Sequence, residues 1–128
     1  MLMGSDELLT RIRLPRESTN CYHYYRKVGT RKAQAISKVC LAAVGWKRDH
    51  RISDVRIVLG SVAPIVIRCV HTEDTLRDKV ISTETIGLAR ESLINEITPI
   101  DDIRSTASYR LRVATNLLAD FLEKLQID

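Results

Sequence analysis

The segment RKVGTRKAQAISK sets Arg26, Lys27, Arg31, Lys32 and Lys38 around a Gly29-Thr30 pair. Backbone amides at such a turn, flanked by cations, form a concave donor site of the kind that holds phosphate. The spacing is neither G-x-x-x-x-G-K-[ST] nor G-x-G-x-x-G, and a solvated hairpin turn accounts for the same residues more plainly. Asp101, Asp102 and Arg104 form a second cluster just ahead of a strongly helical stretch. Carboxylates there accept backbone N–H bonds or pair with arginine, and a structural cap is preferred over paired acids for proton transfer, which need a pocket and shifted pKa values. His23, His50 and His71 stand apart, without metal-ligand spacing. No G-x-S-x-G is present. Cys21, Cys40 and Cys69 are odd in number, far apart and free of any C-x-x-C, which points to small buried side chains rather than disulfides or metal ligands. No catalytic residue and no metal site emerges from these types and spacings.

A chain of 128 residues, 45% hydrophobic and 28% charged, has room for one core, so residues 1–128 are expected to form a single domain. Its net charge of +4 is unevenly spread. Residues 1 to 71 hold 13 Lys/Arg against 5 Asp/Glu, and residues 72 to 128 hold 7 against 11, so the halves carry +8 and −4. A basic half suits an anionic partner, be it a phosphate-bearing cofactor, an acidic protein neighbour or nucleic acid. A small nucleic-acid-binding module therefore stands as one alternative function, with Tyr22, Tyr24 and Tyr25 as its stacking aromatics. A homo-oligomerisation or adaptor module is another. The longest apolar stretch, Ser61 to Val70, is interrupted by Pro64 and Arg68, so no membrane span is expected. The first residues lack the basic and apolar regions of a secretory signal, which points to the cytoplasm.

The elements that must position these residues divide by texture. Glu7 to Leu14 alternates apolar and polar residues and predicts a strand ended by Pro15. Cys21 to Val28, crowded with tyrosines, predicts a second strand. Most of Ala33 to Trp46 reads as a long strand in a hairpin with Ile52 to Gly60, joined by the polar KRDHR turn. Within Ile52 to Gly60 the alternation is imperfect, which implies a strand covered on both faces or one carrying a bulge. Ala63 to Val70 reads as a further strand with Pro64 near its start. Thr72 is then the expected N-cap of a short helix with Glu73 and Asp74 in its first turn, and Ser82 or Thr83 caps the next. That second helix carries Ile86, Ala89, Leu93, Ile94 and Ile97 and stops at Thr98-Pro99. From about Ser105 the residues Tyr109, Val113, Leu117, Phe121 and Leu125 mark an amphipathic terminal helix. The expected fold is α+β: a mostly antiparallel sheet of four to five strands followed by two or three helices packed on one face.

Three local patterns in fixed order carry a resemblance along nearly the whole chain. They are Y-x-K-x-x-x-R at Tyr25, Lys27 and Arg31; LG-x-VAP at Leu59, Gly60, Val62, Ala63 and Pro64; and D-x-R-x-x-x-x-YR at Asp102, Arg104, Tyr109 and Arg110. In this combination the sequence resembles the C-terminal domain of the FAD-binding medium subunit of molybdenum hydroxylases, the xanthine and carbon monoxide dehydrogenase flavoproteins. The resemblance implies an oxidoreductase subunit that relays electrons through FAD. It also implies that FAD is gripped mainly by an N-terminal region outside this sequence, so that the chain alone has no expected activity and no tight FAD binding. Its partners would be that FAD-binding region and the molybdopterin and iron–sulfur subunits. By resemblance, Leu8 and Leu9 would pack near the flavin and Lys27 would supply a cation beside the flavin or its acceptor. Gly60 would allow a bulge or tight backbone, Asp102 and Arg104 would pin the loop before the last helix, and Tyr109 and Arg110 would anchor that helix.

Overall fold

The computed structural model describes residues 4–13, 20–31 and 35–127. Its centre is the hairpin of β2 (Val39–Arg48) and β3 (Arg51–Gly60). Asp49 and His50 make the turn, both in the left-handed region with φ of 51° and 63°, the geometry whose twist matches a tight two-residue hairpin. Antiparallel partners flank this pair: β1 (Tyr22–Val28) on β2, and β4 (Ile67–Arg68) on β3, in spatial order β1-β2-β3-β4. The pleat sends Val39, Leu41, Ala43 and Gly45 inward and Cys40, Ala42, Val44 and Trp46 outward. The uneven spacing in β3 has a bulge behind it. Asp54 pairs with Trp46 and Ile52 with Lys47, so Ser53 is the extra residue, and Ile52 and Val55 both point into the core.

Helices α1 (Val70–Leu76), α2 (Thr83–Glu96) and α3 (Ala107–Ile127) follow the sheet, completing the expected α+β order. Buried Leu118, Phe121, Leu122 and Leu125 of α3 form one core with Leu41, Ile57 and Leu59 of the sheet and Leu76 and Leu93 of the other helices. Phe121 takes the rings of Tyr22 and Tyr24 at 6.3 and 5.6 Å between centroids. The Tyr24 hydroxyl donates to Asp120 at 2.6 Å, and Lys124 donates to the same carboxylate at 2.8 Å, tying the outer strand to the helix. Burial and the neighbouring Asp120 carboxylate push the Tyr24 hydroxyl far above its ordinary pKa. Gly45 lets the helix come this close: a Cβ there would lie 2.5 Å from Leu125 Cδ2 and 3.3 Å from Phe121 Cζ.

Four local expectations need correction. Glu7 to Arg13 form no strand, and Leu8 and Leu9 are 84% and 60% exposed; Leu14 lies outside the described residues. An alternating segment becomes a strand only where a sheet edge accepts it, and no described strand pairs with this one. The strand expected at Ala63 to Val70 shrinks to Ile67–Arg68. Ser61 takes a left-handed φ of 65°, Pro64 brings no N–H, and Pro64, Ile65 and Val66 stand exposed before the chain returns to the edge. Glu73 then replaces the missing ladder: its fully buried carboxylate accepts the Ile57 N–H at 2.8 Å and pairs with Arg68, also at 2.8 Å.

Thr72 does not cap α1, which begins two residues earlier. Glu96, at the far end of α2, accepts the N–H groups of His71 and Thr72 at 3.0 and 2.9 Å and the Thr72 hydroxyl at 2.7 Å. Ser82 is the cap of α2, accepting from Thr85 N at 3.1 Å. Of the three cysteines only Cys69 is fully buried; desolvation beside Glu96 and Glu73 pushes its thiol up to about 12, which leaves it unreactive. Gly45→Val is expected to cost about 1–3 kcal/mol by overpacking against Leu125 and Phe121. The measurement is a denaturant titration, in which the midpoint falls while the slope stays constant; an unchanged midpoint would mean that α3 can withdraw from the sheet without loss.

Candidate functional site

Two regions gather polar chemistry, one at the end of the sheet and one on its open face. At the end, the loop before α3 is organised by Asp102. Its Oδ1 accepts the backbone N–H groups of Arg104 and Ser105 at 2.8 and 3.0 Å, and its Oδ2 accepts Arg104 Nε at 3.0 Å. Asp101 accepts the N–H of Ala107 at the start of α3. From the first turn of that helix Arg110, only 3% exposed, reaches back. Its Nη1 donates to the carbonyls of Lys38 at 3.0 Å and Ser61 at 2.8 Å, and its Nη2 lies 2.6 Å from Asp102 Oδ1. One guanidinium thus joins the loop entering β2, the loop leaving β3 and the loop entering α3. The structure bears out the pinning expected of Asp102 and Arg104 and the anchoring expected of Arg110. Tyr109 differs, standing 40% exposed with Lys38 Nζ 5.3 Å from its ring centroid. Gly60 meets the tight alternative expected of it, an added Cβ falling 2.7 Å from Cys40 Sγ, while Ser61 carries the left-handed turn.

Partial desolvation works against the Asp102 charge, but the N–H donors of Arg104 and Ser105 and the Arg110 guanidinium outweigh it and hold the carboxyl well below the usual range. Lys124 and Tyr24 act on Asp120 in the same direction.

The second region is the sheet face turned away from the helices. His23 and Tyr25 of β1, Ala42 and Val44 of β2, and Arg56 and Val58 of β3 line a shallow groove of about 410 Å³. Ala42 forms a low floor, Tyr25 is 66% exposed at one side, and Arg56 stacks 5.4 Å from the Trp46 ring. Lys27 follows on the same face of β1, opposite Cys40 in the register, exposed and without a hydrogen bond or ion pair among the described residues. Leu8 and Leu9 lie on the N-terminal segment, and no strand pairing or hydrogen bond joins them to Lys27. No three His, Cys, Asp or Glu residues converge as a metal site among the described residues, and no described helix is long and apolar enough to cross a membrane. Glu73, Glu96 and the Tyr24–Asp120 pair went unread in the sequence; only the acidic first turn hinted at Glu73, and it suggested a different job.

Residues 23–125 match the family described as the CO dehydrogenase flavoprotein C-terminal domain. The putative xanthine dehydrogenase FAD-binding subunit of Escherichia coli K12 is 28% identical over 111 residues, covering 84% of this chain and 37% of that protein. The carbon monoxide dehydrogenase medium chain of Hydrogenophaga pseudoflava is 26% identical over 117 residues, covering 91% and 40%. The solved carbon monoxide dehydrogenase of Hydrogenophaga pseudoflava lacking the Mo-pyranopterin moiety superposes with a TM-score of 0.80 at 26% identity, over 88% of this chain and 39% of that one. The chain therefore spans about two fifths of the length of these relatives. A nucleic-acid-binding reading of the basic half finds no support among them.

The depressed pKa of Asp102 has a definite sign. A carboxyl that ionises more readily folded than unfolded contributes stability above the ordinary range near about 4, and loses it as pH falls through that range toward its folded value. Asp102→Asn is expected to lower the melting temperature at neutral pH, with the gap to the parent narrowing steadily in acid. A gap that stays constant on acidification would show that the charge of Asp102 contributes nothing.

Proposed function

The chain belongs to the CO dehydrogenase flavoprotein C-terminal domain family, and from that premise we propose that it is the non-catalytic closing domain of a molybdenum-hydroxylase-type FAD subunit. The observation that carries this reading is the family match over residues 23–125, with a fold that superposes at a TM-score of 0.80. FAD, when bound in the assembled subunit, accepts electrons and passes them to an acceptor. This chain's part is mechanical and electrostatic. An open groove that offers a single wall cannot enclose a flavin, because tight ligand sites bury most of the ligand surface. The grip on FAD then falls to an FAD-binding region, with this domain laid against it in the cytoplasm beside molybdopterin and iron–sulfur subunits.

In that assembly Lys27, exposed and without an ion-pair partner, stands as the cation beside the flavin or its acceptor, and Leu8 and Leu9 as apolar packing. Two large exposed leucines support this role, since water is a poor neighbour for them and an adjoining domain removes them from it.

The test titrates FAD into the chain alone and into its mixture with an FAD-binding region of the same family, following flavin fluorescence. The mixture is expected to retain FAD and the chain alone to release it on dilution; stoichiometric tight binding by the chain alone would overturn the proposal. Lys27→Ala is expected to change the unfolding free energy by no more than about 0.5 kcal/mol, as surface changes do, while slowing flavin reduction in the reconstituted complex.

A further inference from the structure

The cations around Gly29-Thr30 are not exhausted by a role for Lys27 on the open face. At the end of the sheet, a recess of about 330 Å³ is lined by Thr30, Arg31, Ile36, Lys38 and Arg104 among others, and among the described residues no carboxylate lines it. Lys38 and Arg104 thus bring an ammonium and a guanidinium to one wall. The carboxylate that binds Arg104, Asp102, is already committed: Oδ1 to Arg104 N, Ser105 N and Arg110, Oδ2 to the Arg104 side chain.

That commitment also fixes the geometry. Arg104 is bound to Asp102 through Nε and Nη2, which leaves Nη1 with no acceptor among the described residues. Lys38 is placed by its carbonyl, held by Arg110, and by its ammonium over Tyr109. Arg104 and Arg110 also line an adjoining recess of about 340 Å³, and the buried Nε of Arg110 has no hydrogen-bond partner. Pre-placed guanidinium and ammonium donors in a recess of this size suit a compact oxyanion, since charge-assisted bonds to phosphate are among the stronger ones a protein makes. We propose that the recess lined by Thr30, Ile36, Lys38 and Arg104 is a phosphate-binding site, with Arg104 and Lys38 as its ligands.

The phosphate could belong to a free anion or to a nucleotide, and calorimetric titration of the full chain with inorganic pyrophosphate and, separately, with ADP distinguishes them. Saturable one-site binding is expected, weakened about tenfold by Lys38→Gln and by Arg104→Gln, as loss of one charge-assisted bond requires. Arg48→Gln, at the opposite end of β2, is expected to change nothing. Tighter binding of ADP than of pyrophosphate assigns the site to a nucleotide, and equal or weaker binding assigns it to the free anion. Absence of saturation, indifference to Lys38→Gln, or equal weakening by Arg48→Gln would overturn the proposal, the last showing only general attraction to a basic chain. Should Arg104→Gln lose its circular-dichroism signature of folding, Lys38→Gln decides alone.

Discussion

Arg110 sits where three loops meet, and a guanidinium taken out of water there must be met by acceptors, because an uncompensated buried charge costs about 3–5 kcal/mol. The fold meets it with two carbonyls and one carboxylate drawn from residues 38, 61 and 102. Each acceptor lies on a different connection, so satisfying the charge fixes the spacing of all three connections at once. The end of the sheet, the start of α3 and the recess beside Arg104 therefore form a single mechanical unit. Val62 and Ile97 carry two of these loops into the core, and the polar junction adds its order to that apolar packing.

The same device recurs wherever an element ends early. β4 is only two residues long, and the N–H of Ile57 beyond its reach is taken by the carboxylate of Glu73. α1 has no capping side chain of its own, and Glu96 covers its first amides from another helix. Buried backbone donors must be paired, and in these places distant carboxylates do the pairing. Four acids of the C-terminal half are used in this way: Glu73, Glu96, Asp102 and Asp120 all face backbone or cationic groups.

What could be read from the sequence follows from how local the physics is. The terminal helix was legible because Val113, Leu117, Phe121 and Leu125 recur along one face over many turns, and the Ser82 cap because it needs only its own next residues. The β2–β3 hairpin was legible from its turn, and its imperfect alternation left a strand covered on both faces or a bulge, of which the bulge, at Ser53, is present. Glu7 to Arg13 had the right alternation, but a strand is completed by a partner edge that composition does not reveal. Thr72 looked like a cap because Glu73 and Asp74 follow it, while the real cap lies 24 residues away. At the sheet end, Asp102, Arg104 and Arg110 were recognisable as a pattern; their partners at Lys38 and Ser61 were not, since those are backbone carbonyls that any residue could provide.

These commitments change the meaning of the net charge. The net charge of +4 is distributed unevenly over the fold, and the basic N-terminal half supplies all four sheet strands. The helices cover one face of that sheet, and on the other stand Lys27 and Arg56 beside an apolar groove. Antiparallel sheets tolerate one wet face, but such faces are ordinarily polar, whereas here Tyr25, Ala42, Val44 and Val58 form the groove. An apolar strip rimmed by cations combines area to be buried with charge to orient what buries it.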